Sequence, residues 1–190
     1  MRWLIPFLVC LPLAVQGGEW HVDKKAQANR VEFTSEVVTF TFSGSTDKID
    51  GFVYWEGEEL FENKDQLHFE VDLATLDTGI GKRDRDMRQV LGTEKWPKAV
   101  YKGEFVEHTA MDTTVAAYRV KTKGTLALHG VERPLEVPGI IVMEEGRSKV
   151  EATFTLQLAD YDIEAPSIAA FVKVGQEIVV EVSFYLKHVK

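Results

Sequence analysis

Lys149-Val150-Glu151-Ala152-Thr153-Phe154-Thr155-Leu156-Gln157-Leu158 decides the fold. Its apolar residues occupy every second position, and polar side chains fill the positions between. A β-strand turns successive side chains to opposite faces, so this run has one buried face and one wet face. The same period recurs in Leu67, Phe69, Val71 and Leu73, set between Gln66, His68, Glu70 and Asp72. It returns in Ile178, Val180, Val182, Phe184 and Leu186. One-sided burial marks antiparallel sheet. Further strands are expected at residues 19–23, 30–42, 49–56, 97–107, 114–129 and 133–143. Several exceed the usual strand of ~5–6 residues. Long amphipathic antiparallel strands favour a closed or nearly closed barrel, because closure removes exposed edges. A two-sheet sandwich has the same periodicity and stays open on this ground alone.

Two segments break the alternation. Asp77-Thr78-Gly79-Ile80-Gly81-Lys82-Arg83-Asp84-Arg85-Asp86-Met87-Arg88 sets dense charge beside glycines. Residues 81–92 read as a short helix ended by Gly92, with Met87, Val90 and Leu91 on one side. Between Asp160 and Gly175, Ala165 to Phe171 is expected to form a helical turn with Pro166 near its start. Its Ile168 and Phe171 are greasy for a surface connection and are expected to cap the core or form a lid. Arg83 and Arg88 are candidates for holding an anionic head group, since guanidinium binds such groups bidentately. The competing reading is a solvated helix face on which Asp84 and Asp86 neutralise the arginines.

The first residues read as an address. Arg2 precedes an apolar run from Trp3 to Val15, and Val15-Gln16-Gly17 fits cleavage before Gly18, as in a secretory signal peptide. The run is broken by Pro6 and Pro12 and is shorter than the ~20 apolar residues that span a bilayer. Residues 1–17 are therefore expected to be removed, leaving one domain, 18–190, in the periplasm or outside the cell. The single cysteine, Cys10, falls in the removed segment, so the domain is expected to stand on core burial without disulfides. The whole chain has 22 basic and 30 acidic residues and a net charge of −8. Nucleic acid is excluded as an expected partner, because backbone binding needs a concentrated basic surface. Stable membrane insertion is not expected either; self-association as a homodimer stays open.

No motif for a nucleophile elbow, a two-histidine zinc helix or a phosphate-cradling loop is present. His21, His68, His108, His129 and His188 are scattered over different strands, where solvated strand histidines are the plainer reading. No catalytic residue, metal or cofactor is expected. The inner faces carry more information. They mix large residues (Phe69, Phe105, Tyr118, Phe154, Phe184) with small ones (Ala99, Gly103, Ala116, Gly124, Ala152). In a barrel of about eight strands such a mixture either interdigitates into a solid core or leaves a greasy tunnel. A tunnel lined this way stays dry and takes a lipid. The expected lining is Phe69, Val71, Phe105, Tyr118, Phe154, Leu156 and Phe184.

Several stretches together resemble one known family. Trp20-His21-Val22-Asp23 opens the match, and Val31-Glu32-Phe33 continues it. Leu76-Asp77-Thr78-Gly79 with Arg83-Asp84, followed by Trp96-Pro97-Lys98-Ala99-Val100-Tyr101, is the most specific part. Gly124 to Leu135 resembles a characteristic hairpin, and Val174 to Val182 the last strand. On these residues the chain resembles the YceI-like family of periplasmic polyisoprenoid-binding proteins. It departs from the family at Lys24-Lys25-Ala26-Gln27, where a serine usually follows the first Asp. The resemblance implies an all-β, extended, antiparallel, eight-stranded lipocalin-like barrel with one or two short helices. It also implies an apolar pocket for an isoprenoid lipid, such as a quinone or a polyprenyl compound, in a carrier or storage role linked to stress tolerance. The other readings are an envelope hydrolase or isomerase using a rim histidine and carboxylate, and an interaction barrel with a filled core.

Overall fold

The computed structural model describes residues 17–37, 40–57, 59–61, 65–164, 167–169 and 172–189. In chain order the strands are β1 (Gly17–Val22), β2 (Arg30–Val37), β3 (Phe40–Thr46), β4 (Ile49–Glu56) and β5 (Asp65–Asp72). A short 3-10 turn, Leu73–Thr75, and the helix α1 (Gly81–Val90) follow. Then come β6 (Lys98–Ala110), β7 (Ala117–Leu128), β8 (Val131–Glu144) and β9 (Arg147–Gln157), a second 3-10 turn (Leu158–Tyr161), β10 (Ser167–Ala169) and β11 (Val172–His188). Residues 1–16, which hold almost all of the expected signal peptide, lie outside the described residues, as does Phe171.

The alternation read in the sequence closes into a barrel around β11. One edge of β11 pairs with β9 along Glu177–Lys187. Its other edge pairs with β2 along Val174–Ser183 and then with β1 along Leu186–His188. Strands β1 and β2 thus share one position in the wall. β3 and β4 share the next, since β3 pairs β2 and β4 pairs β1. From β4 the antiparallel ladder runs through β5, β6, β7, β8 and β9 back to β11. The result is a closed eight-strand antiparallel barrel with one helix.

Turn chemistry fixes two of the hairpins. His129 and Gly130 join β7 to β8 with φ of 53° and 80°, the left-handed pair a two-residue hairpin needs. Gly146 supplies φ of 75° between β8 and β9. The helix ends as expected at Gly92, whose φ is 57°. Its N–H donates to the Gln89 carbonyl at 3.1 Å and that of Thr93 to the Arg88 carbonyl at 3.1 Å. Those are the two bonds of a Schellman closure, which a left-handed glycine permits.

The wall is not laddered everywhere. β8 pairs β7 from Val131 to Val142, but it meets β9 only from Gly139↔Ala152 to Glu144↔Arg147. Residues 131–138 of β8 therefore face 153–157 of β9 across a seam without ladder bonds. Pro134 and Pro138 both lie in this half, where a missing N–H on the free edge leaves no acceptor wanting. The turn after β9 packs at this end: Tyr161 and Ile163, each 2 % exposed, belong to the cluster that Val131, Leu135, Leu156 and Leu158 pack against.

Two expectations are corrected. Residues 30–42 form no single strand. β2 and β3 are separate and pair with each other from Val31↔Thr46 to Val37↔Phe40, so that both edges of this corner acquire partners. Residues 167–169 are not a helical turn. They form β10, which pairs with β11 through Ser167↔Lys173 and Ala169↔Val172, because the start of β11 offers it a free ladder edge.

Candidate functional site

Away from α1 the barrel interior gathers aromatic rings. Trp20 meets Trp55 edge-on at 5.1 Å. Phe61 sits among Phe105, His108 and Tyr118, with ring centroids at 4.9, 4.7 and 5.4 Å. Toward the helix end, a second cluster gathers Leu73, Leu76, Leu126, Leu128, Tyr161 and Ile163 against Met87, Val90 and Leu91 of α1. Between and beside these clusters lies an apolar cavity of about 680 Å³. The exposed Ile80, Lys82 and Asp86 are part of its lining, so it reaches solvent beside α1.

Strand parity accounts for the walls. Phe69 and Val71 come from β5, Phe105 from β6, Phe154 and Leu156 from β9, and Phe184 from β11; all six line the cavity. So do Phe33, Phe42 and Met87. Phe69 and Phe184 touch across the interior at a centroid distance of 5.0 Å. Tyr118 is placed elsewhere: it is on the inward parity of β7 but sits among the aromatic rings away from α1, against Phe61. Ile168 belongs to β10 and Phe171 lies outside the described residues.

The two arginines part company. Arg83 lines the mouth, but its guanidinium is already engaged. Its Nε donates to the Thr78 hydroxyl at 2.8 Å, its Nη2 donates to the Thr78 carbonyl at 2.7 Å, and the group lies 5.0 Å above the Phe42 ring. Arg88 does not line the cavity; its Nη1 donates to the Ala74 carbonyl at 3.3 Å. Asp84 is buried and accepts from Thr78, and these hydrogen bonds, with Arg88 and Arg83 nearby, hold its carboxyl below the usual range. Asp77 and Ser45 exchange backbone bonds at 2.9 and 3.0 Å, tying the helix lead-in to β3. The glycine-and-charge segment is thus a closure of the barrel end, of which Ile80, Lys82, Arg83 and Asp86 form the lip.

Among the described residues no histidine lines the cavity, and Asp86 is its one carboxylate. His21 pairs with Glu19 at 2.8 Å on the outside of β1. His129 faces the Tyr161 carbonyl at 3.1 Å and the edge of Trp96 at 4.3 Å. A histidine–carboxylate pair converging inside the pocket, which general acid–base chemistry would use, is not formed by these residues. No cluster of three or more metal-ligating side chains occurs among the described residues. No described helix is long and apolar enough to cross a membrane.

Three polar side chains of the lining were not singled out from the sequence. Ser35, Tyr101 and Thr122 all face inward. Tyr101 shares parity with Ala99 and Gly103, so the signal was there to be read. The Tyr101 hydroxyl lies 2.8 Å from that of Thr122, and burial pushes its pKa up.

A closed antiparallel barrel with an apolar interior pocket and a helix across its mouth defines a lipocalin-like class of protein. Residues 20–186 match the YceI-like domain family, and the chain belongs to that family. The barrel is similar to the crystal structure of Burkholderia cenocepacia BcnA, with a TM-score of 0.67 at 13% identity, covering 86% of this chain and 98% of that one. It is similar as well to a polyisoprenoid binding domain from Saccharophagus degradans implicated in plant cell wall breakdown. There the TM-score is 0.66 at 16% identity, over 91% of this chain and 98% of the other. At these identities the likeness is one of fold. No curated protein matches the chain.

Proposed function

We propose that this protein binds a long apolar ligand of the isoprenoid class, a quinone or polyprenyl compound, and acts as its carrier or store without catalysing a reaction. The observation that carries the reading is the cavity of about 680 Å³, walled mostly by aliphatic and aromatic side chains and reaching solvent at one end. At ~30 Å³ per water-sized group it has room for roughly twenty such groups. Each buried methylene contributes ~0.8 kcal/mol, so ten of them already supply ~8 kcal/mol toward binding. The relative described as a polyisoprenoid binding domain supports the same ligand class. The Arg2-led apolar leader supports a place in the periplasm or outside the cell, and a role in stress tolerance is part of the same proposal.

Organic extraction of the protein purified from a periplasmic fraction, followed by mass spectrometry, tests the reading. An isoprenoid recovered in near-stoichiometric amount is the expected result, with an intact mass beginning at Gly18. Recovery of no lipid from several hosts, together with no uptake of added quinone, overturns it.

A further inference from the structure

We propose that Tyr101 and Thr122 form a hydrogen-bonding station inside the cavity for one uncharged oxygen of the ligand, a hydroxyl or a carbonyl. This rests on the reading of the cavity as a lipid site. Thr122 stands directly opposite Phe105 in the ladder, and Tyr101 opposite Leu126, so the two hydroxyl-bearing residues are not cross-strand neighbours. Between them lies the pair Gly103↔Gly124. A Cβ on Gly103 would come within 2.9 Å of the Tyr101 hydroxyl. The bare backbone there is what lets the Tyr101 ring lie along the wall and bring its hydroxyl to Thr122.

The protons of this pair are under-used. The Tyr101 hydroxyl can donate to Thr122 at 2.8 Å or to the Leu135 carbonyl at 3.4 Å; the Thr122 hydroxyl can donate to Tyr101 or to the Val137 carbonyl at 3.3 Å. In either arrangement one hydroxyl proton rests on a bond at the long, weak end of the range. A ligand oxygen at normal distance takes the Tyr101 proton in exchange for the contact to Leu135, while Thr122 donates to the Tyr101 oxygen. Both hydroxyl protons then rest on bonds of ordinary length. The station is also a place for a neutral group. Tyr101 packs against both apolar clusters, and the cationic lining residues Lys82 and Arg83 belong to α1 at the mouth. An ionised group set on this apolar wall without a charge partner would carry a heavy desolvation penalty. In pockets of this kind a few polar groups fix the orientation of an otherwise greasy ligand.

The test uses two probes, geranylgeraniol and the hydrocarbon of the same skeleton without its hydroxyl, each displacing an apolar fluorophore from the full barrel. The wild-type protein should prefer the alcohol. Tyr101→Phe, which keeps the ring, should weaken the alcohol about threefold to tenfold and leave the hydrocarbon unchanged, the loss of one neutral hydrogen bond. Thr122→Val, which removes the group that orients Tyr101, should move the preference in the same direction. Circular dichroism and melting of both variants confirm that the barrel is intact. Equal binding of the two probes by the wild type, or an equal shift of both in Tyr101→Phe, overturns the station while leaving the lipid site standing. Failure of the fluorophore and of both probes to bind overturns the lipid site and the station together.

Discussion

The buried carboxylate of Asp84 accepts two hydrogen bonds from Thr78, from its backbone N–H at 2.9 Å and from its hydroxyl at 2.5 Å. Thr78 in turn accepts from Arg83, so the three residues lock the lead-in loop to the first turn of α1. Asp84→Ala leaves the Thr78 groups without their charged acceptor and should cost about 2 kcal/mol by denaturant unfolding. The folded-state pKa of Asp84 is depressed, so its contribution is complete above the ordinary value of about 3.9 and is lost as pH falls through the lower folded-state value. Melting temperature followed into acid should show the wild type and Asp84→Ala converging.

Asp65 has the opposite sign. Burial pushes its pKa up, against the backbone N–H of Phe61 and the nearby His108, which pull it down, and with Glu104, which adds to the rise. Its Oδ1 has no hydrogen-bond partner. A carboxyl raised in the fold stabilises below its unfolded value of about 3.9, and that stability is lost as pH rises through the folded-state value. Asp65→Asn keeps an acceptor for Phe61 and removes the charge. Its melting temperature should exceed that of the wild type at neutral pH, with the gain vanishing in acid.

Gly92 closes the helix at φ of 57°, and a Cβ there would lie 2.8 Å from the Trp96 ring. A left-handed alanine costs ~1–2 kcal/mol before that contact is counted. Gly92→Ala should therefore lower the melting temperature by roughly 3–6 °C for a domain of this size.

Phe154 lines the cavity on β9. Phe154→Trp adds atoms to open space, so it should change stability by less than about 1 kcal/mol while reducing uptake of a lipid probe. Val22 packs in the core at 2 % exposure and does not line the cavity. Val22→Phe should cost about 1–3 kcal/mol, the usual penalty of overpacking. Equal cost at both positions would contradict an open interior.

Ile163, 2 % exposed, belongs to the apolar cluster at the helix end of the barrel. Ile163→Ala should cost about 2–5 kcal/mol, as buried isoleucine truncations do. Hydrogen exchange of the Leu158–Tyr161 turn should quicken more than that of β6 or β7.

Much of this architecture was legible in the chain. Alternation at Leu67–Leu73, Val150–Leu158 and Ile178–Leu186 named the inward residues that β5, β9 and β11 give to the cavity wall. Parity assigns a face, however, and not a level along the barrel axis, which is why Tyr118 is inward yet lies among the aromatic rings away from α1. Arg88 shares a helix with Arg83 but points to Ala74 instead of the lip, a distinction set by helix rotation. The division of residues 30–42 into β2 and β3 was hidden because Val37-Val38-Thr39-Phe40 contains no glycine, proline, asparagine or aspartate. Pro134 and Pro138 did announce an unladdered edge, and the period-two reading passed over them.

That unladdered edge bears on how the barrel wall is held. A barrel bonded all the way round has a fixed circumference, since any increase must unzip a main-chain ladder. Between residues 131–138 and 153–157 there is no ladder to unzip, and side chains of the cluster that holds Tyr161 and Ile163 pack at this end instead. Along the seam the wall is held by side-chain packing, and along the other staves by main-chain ladders.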